Sequence, residues 1–409
     1  MGAFRRFLDH QARHFESGGR LARLQPLWEA LDSFFYTSGR VTRGSVHLRD
    51  GLDLKRMMIV VVIALMPCVF WGMYNAGLQA NLALDPGRGG DLVGWRYALI
   101  DLLGVGYDPG SVLANLVHGA LYFIPLYLVT MVVGGTWEVL FSVVRKHPIN
   151  EGFFVTGLIF PLILPATTPL WQAAIGITWG VVIAKEVFGG TGMNFLNPAL
   201  VARASLFYSY PIQITGDQVW TPLAADYWYD GYSGATPLAQ LKQDALPYES
   251  LGVSWWDSFL GLELGSFGET SAAACLIGAV ILLYTRVASW RVMAGVTVGT
   301  VIMASLLNVI GSDSNPMFAV PFWWHFVLGS WAFATVFMVT DPVTSAWTER
   351  GKWIYGLMIG LLIVLVRVVN PAYPESVMLV ILFMNVFAPL IDHYVVKANI
   401  RRRLRRSEG

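Results

Sequence analysis

The chain has 409 residues, of which 55% are hydrophobic and only 13% charged, with a mean hydropathy of +0.54 and a net charge of +1. Soluble domains carry about 25% charged residues, so this composition excludes an ordinary soluble domain and points to a multi-span membrane protein. The two cysteines, Cys68 and Cys275, lie in apolar segments and read as buried structural thiols; no metal centre and no nucleic-acid partner are expected.

Residues 1–56 are polar and basic, with ten Lys/Arg and no early apolar run. They read as an extension on the cytoplasmic side rather than a cleavable signal peptide. A membrane helix needs about 20 apolar residues, or fewer where it is broken or re-entrant. Ten segments qualify, at roughly 57–77, 112–134, 153–165, 171–188, 195–210, 270–286, 290–310, 321–340, 352–369 and 376–396. The expected fold is all-α and polytopic. A membrane region spans 57–210, a polar loop 211–269, a second membrane region 270–396, and a basic tail 397–409.

Charge sets the orientation. The tail KANIRRRLRR adds six Lys/Arg at 397–406, and Arg145-Lys146 and Arg350 to Lys352 fall on the same side in a ten-span count. Both termini are therefore expected in the cytoplasm. Residues 211–268 hold seven acids and a single base, Lys242, and are expected outside.

An internal repeat is visible. FPLILPAT (160–167) and FMVTDPVT (337–344) share the pattern F-x-x-x-x-P-x-T, and Asn-Pro-Ala follows each, at 197–199 and 370–372. The two copies fall on opposite faces, which predicts two five-helix halves of inverted topology with broken helices.

The stretch DGYSGATPL (230–238) sits in the polar loop, where no hydrophobic pattern calls for it. Gly231 and Gly234 permit a sharp turn, and the expectation is that Thr236 is displayed on it with its hydroxyl open to modification. With no neighbouring base, that hydroxyl is a poor nucleophile.

D-G-x-S-G-A-T resembles the flavin-attachment site of a family of membrane redox proteins. These are the B subunits of Na+-translocating NADH:quinone oxidoreductases and the related D subunits of Rnf-type ferredoxin:NAD oxidoreductases. GGTWEVLF (134–141), NEGFFVTG (150–157), LILPATTPLWQ (162–172), KEVFGGTGMNFLNPAL (185–200) and GSFGETS (265–271) extend the resemblance along the chain. The basic extension and Arg-rich tail fit the quinone-reductase branch better than the Rnf branch. The resemblance implies FMN joined by a flavin transferase through its phosphate to Thr236, within a motif of Asp230, Gly231, Ser233, Gly234 and Ala235. It also implies non-covalent riboflavin, ubiquinone as electron acceptor, partner subunits that bind NADH, and a bacterial inner membrane. A passive channel or solute transporter is the contrasting reading, since the same helices would serve it.

Asn194 and Asn197, in a Gly-rich link that is not G-x-G-x-x-G, are the expected riboflavin contacts because their amides both donate and accept. Gly134-Gly135 is expected to break the second span and let a quinone approach. Glu138 and Asp392 lie in apolar sequence without an adjacent base and are expected on the cation route. Lys185-Glu186 reads as a neutralised pair, Asp341 as a helix cap, and His118 and His393 as structural.

Overall fold

The computed structural model describes residues 3–15, a few positions between 21 and 32, and then 54–85, 92–145, 152–243, 248–370 and 375–407. Most of the basic extension, and Pro371-Ala372 of the second Asn-Pro-Ala, lie outside the described residues. In chain order the α-helices are α1 (Ala3–Phe15), α2 (Leu54–Ala83), α3 (Trp95–Leu103), α4 (Val112–Arg145), α5 (Gly152–Leu162), α6 (Leu170–Val181), α7 (Pro198–Ser209) and α8 (Pro211–Thr215). Then come α9 (Pro237–Gln243), α10 (Trp255–Leu260), α11 (Ala272–Tyr284), α12 (Trp290–Ile310), α13 (Phe322–Val327), α14 (Trp331–Phe333), α15 (Glu349–Val369) and α16 (Val377–Ser407). Among the described residues the extended structure is confined to an isolated antiparallel bridge, Leu84 with Trp228.

Five helices, α2, α4, α12, α15 and α16, are long and apolar enough to cross a membrane, and α5 and α11 are shorter apolar helices. In α2 and α4 the apolar residues run all round rather than along one stripe, as suits a helix flanked by lipid or by other apolar helices. The 34 residues of α4 reach roughly 50 Å at 1.5 Å per residue, beyond a hydrocarbon core of about 30 Å.

The expected break at Gly134-Gly135 does not occur: α4 continues through both glycines to Arg145. A helical glycine costs about 1 kcal/mol relative to alanine, too little to end a helix that packs on both sides. Breaks appear elsewhere. α6 passes into a π-turn at Val182–Glu186. The segment expected at 321–340 is α13, a bend at Gly329 with φ +65°, then α14 leading into a π-turn at Ala334–Met338.

The core joins both halves of the chain. Phe160 and Phe333 are fully buried in one cluster with residues of α2, α11 and α15. Cys68 and Cys275 meet there as buried free thiols, Sγ to Sγ 3.8 Å, bearing out their structural reading. α12 and α15 press together through glycines. A Cβ at Gly299 would strike the carbonyl oxygen of Leu357, and one at Gly360 that of Val296.

Candidate functional site

The DGYSGAT stretch leads directly into α9. Gly231 takes φ +86°, so the turn it was expected to make is present. Gly234 has an ordinary φ and is needed for a different reason: a Cβ there would meet the Asp217 carbonyl oxygen and, at 2.9 Å, the Trp228 ring. Asp230, Gly231 and Ser233 are not buried, whereas Gly234, Ala235 and Thr236 are.

Thr236 is 5% exposed, which corrects the expectation of a displayed hydroxyl. Standing before Pro237, it caps α9: its Oγ1 accepts from Ala239 N at 3.2 Å, and its carbonyl accepts from Gln240 N at 2.9 Å. Leu238 and Leu241, three positions apart on one helical face, draw α9 into the core and the threonine with it. Lys242 fixes the far end of α9. Its Nζ donates to the carbonyl oxygens of Arg367, at 3.1 Å, and of Asn370, at the end of α15. Burial, with Arg367 nearby, pulls the Lys242 ammonium down to about 8.

Thr236 lines a cavity of about 20 Å³, together with Glu263, Ser266, Glu269, Thr270 and Glu375. Arg203 crosses this region from α7, 2.8 Å from Glu269 and 3.3 Å from Glu375. Arg367 is wholly buried and donates to the His325 carbonyl oxygen at 3.3 Å. Sequence reasoning missed Glu375. The signal was indirect: in-span arginines at 203 and 367 must be matched by buried acids. Burial pushes the Glu263 carboxyl up to about 8 and the Glu375 carboxyl up to about 7, the latter opposed by Arg203.

Asn194 and Asn197 line a second cavity, of about 60 Å³, with Lys185, Thr191 and Asp341 among polar neighbours and Met58, Ile159 and Phe337 among apolar ones. Both asparagines also hold the link in shape. Asn194 accepts from Gly192 N and donates to the Leu196 carbonyl, at 3.2 and 3.0 Å. Asn197 caps α7 by accepting from Ala199 N and Leu200 N. The Thr191 hydroxyl in this wall is buried without a hydrogen-bond partner among the described residues. An orphaned polar atom beside apolar walls suits the edge of a flat heterocycle, and the space of about 60 Å³ is smaller than three fused rings.

A Cβ on Gly134 would strike the Phe153 ring and come within 3.0 Å of Ile177 Cγ1, whereas one on Gly135 would have more room, with Phe153 at 3.7 Å. Glu138 has a base after all. Lys185 of the π-turn reaches it in a buried salt bridge, while Arg145 approaches Glu186 at 3.7 Å. The expected Lys185–Glu186 neutralisation is thus exchanged for two cross-helix pairings. Asp392 has no base beside it among the described residues, but three donors: Trp347 N at 2.7 Å, Thr348 N at 3.0 Å and Thr348 Oγ1 at 2.6 Å, just before α15. Asp341 caps the turn to Thr344 rather than a helix. His118 sits in a buried Asn81–Asn115 network, a structural setting as expected. Among the described residues no group of three or more His, Cys, Asp or Glu is arranged to hold a metal ion.

The family described as NQR2, RnfD, RnfE matches residues 41–401. Proteins named as the B subunit of Na(+)-translocating NADH-quinone reductase are similar over nearly the whole chain. That of Chromohalobacter salexigens is 56% identical over 402 residues, covering 98% of this chain and 96% of its own. That of Azotobacter vinelandii is 56% identical over 406 residues, 98% and 99% of the two chains. That of Klebsiella pneumoniae is 55% identical over 403 residues, 95% and 96% of the two chains. With long apolar helices and a match over most of its length, this membrane protein belongs to the NQR2, RnfD, RnfE family.

Proposed function

We propose that the chain is the flavin-bearing B subunit of a bacterial inner-membrane NADH:quinone oxidoreductase that exports Na+. The observation that carries this reading is D-G-Y-S-G-A-T at 230–236 in a member of this family. Neither an Rnf-type assignment nor a passive channel draws comparable support. The relatives from Chromohalobacter, Azotobacter and Klebsiella carry the reductase name, and a channel has no use for a flavin-attachment stretch.

In this reading a flavin transferase esterifies FMN through its phosphate to Thr236, and riboflavin occupies the cavity at Asn194 and Asn197. Ubiquinone approaches α4 at Gly134-Gly135, on the less crowded side of Gly135. NADH is bound by partner subunits. The bound flavins supply one-electron transfer. The chain's own residues orient them: Lys242 and the Leu238–Leu241 face fix α9, and Thr191, Asn194 and Asn197 offer polar contacts along one cavity wall. Glu138 and Asp392 belong to the Na+ route, each held by its partners until the cation arrives.

The ten segments form two inverted halves. Each F-P-T element leaves a helical segment, α5 or the π-turn at 334–338; Asn197 of the first Asn-Pro-Ala caps the start of α7, and Asn370 of the second closes α15. Both basic ends face the cytoplasm and the loop at 211–268 faces outward. Purified with its transferase and denatured, the chain should fluoresce as a flavin and gain the mass of FMN less water. Thr236→Ala should lose both signals, and a wild-type chain without covalent flavin would remove the redox assignment.

A further inference from the structure

The cavity beneath Thr236 is lined by more carboxyl groups than are held in salt bridges. Three carboxylates, Glu263, Glu269 and Glu375, line it. Arg203 pairs with the last two, and Arg367 acts on Glu375 through space. Lys242 is engaged with the carbonyl oxygens of Arg367 and Asn370. Among the described residues Glu263 has no cation paired with it; its side-chain neighbour is the Ser258 hydroxyl.

Two buried oxygen atoms here have no hydrogen-bond partner among the described residues: Glu263 Oε2 and Thr270 Oγ1, on residues 4% and 3% exposed. Both residues line the same cavity. The position of Glu263 is fixed, because Asn75 of α2 donates to its backbone carbonyl at 2.8 Å. The space, about 20 Å³, admits one water-sized occupant. A buried carboxylate with no counter-charge is unfavourable, and hard cations take oxygen ligands.

We propose that Glu263 and Thr270 form a binding site for one dehydrated monovalent cation of the Na+ type, next to the flavin-bearing threonine. The site rests on the Na+-translocating reading above. It differs from a divalent centre, since the carboxylates of Glu269 and Glu375 are already held by Arg203. In the absence of Na+ the Glu263 carboxyl keeps a proton, and the cation displaces it; one proton leaves for each ion bound. A phosphodiester on Thr236 adds a negative charge beside the cavity and strengthens cation binding.

The test uses the purified whole complex near neutral pH. Replacing choline with Na+ should remove a protonated-carboxyl infrared band and release about one proton per complex, as the exchange requires. Glu263→Gln should abolish both changes. Thr270→Val, a milder substitution, should weaken the Na+ concentration dependence of the band about tenfold, as expected for one lost oxygen contact. Persistence of the Na+-induced change in Glu263→Gln would place the site elsewhere. Na+-dependent quinone reduction is measured on the same parent complex. If it is present while the infrared change is absent, the cavity holds only water or a proton and this inference fails alone. If both are absent, the Na+-translocating reading fails and takes the site with it.

Discussion

Lys185 and Glu138 stand 47 positions apart, yet their side chains close a salt bridge in which each is 4% exposed. The link joins the π-turn after α6 to the later part of α4. Removing one partner of a buried pair leaves an uncompensated charge and costs about 3–5 kcal/mol, whereas removing both costs far less. Glu138→Gln and Lys185→Met should each lower the thermal midpoint of the purified complex sharply, and the double variant should recover most of the loss. Additive losses would show that the two charges do not act as a pair. Na+ activation of the well-folded double variant then reports on the route without the confounding loss of stability.

Asp392 presents a different balance. Its carboxylate accepts from two backbone N–H groups and the Thr348 hydroxyl, and Asp392→Ala strands them at a cost of about 1–3 kcal/mol. Asp392→Asn keeps an acceptor and should recover about half of that. Both variants should weaken Na+ activation of quinone reduction. Wild-type activation in the Asn variant would remove Asp392 from the cation route and leave it a cap for α15.

Because Thr236 is buried and already accepts from Ala239 N, flavin attachment should precede packing of α9. Co-expression with the transferase should load the chain fully. Transferase and flavin donor added to chain already folded in membranes should load it slowly. Lys242→Met, which frees the end of α9, should speed the late reaction. Equal rates in the two orders would mean that α9 opens readily in the folded protein.

Lys242 also gives a pH signature. Its ammonium is depressed to about 8 against a usual 10.5, chiefly by burial. Between those values the unfolded chain binds a proton that the folded chain does not, so this group's contribution to stability rises with pH through that window. Lys242→Met should flatten the rise between about pH 8 and 10.5 in a thermal-unfolding series. An unchanged slope would assign the rise to other groups.

Much of the helical layout was legible because long apolar runs have few alternatives in a membrane. The segments expected at 290–310 and 352–369 are Trp290–Ile310 and Glu349–Val369. The segment at 112–134 proved longer, since glycine is a weak helix breaker where packing supports the chain on both sides. The site was legible by position but not by partner. DGYSGAT marks itself by composition. Nothing local reveals that Leu238 and Leu241 bury the threonine, that a lysine 47 residues away answers Glu138, or that Glu375 answers Arg203. Those are long-range pairings, fixed by how helices cross rather than by neighbours in sequence.

The glycine contact between α12 and α15 has a mechanical consequence. Backbones that touch through Gly299 and Gly360 cannot rotate or slide past one another without a collision at the next side chain. The two helices therefore behave as a single stiff strut. Lys242 hangs the segment that carries Thr236 from one end of that strut, and Asp392 grips the turn at the other. Any rearrangement that lets an ion through must bend the protein outside the strut, and the π-turns at Val182–Glu186 and Ala334–Met338, with their loosened backbone ladders, are where it can flex.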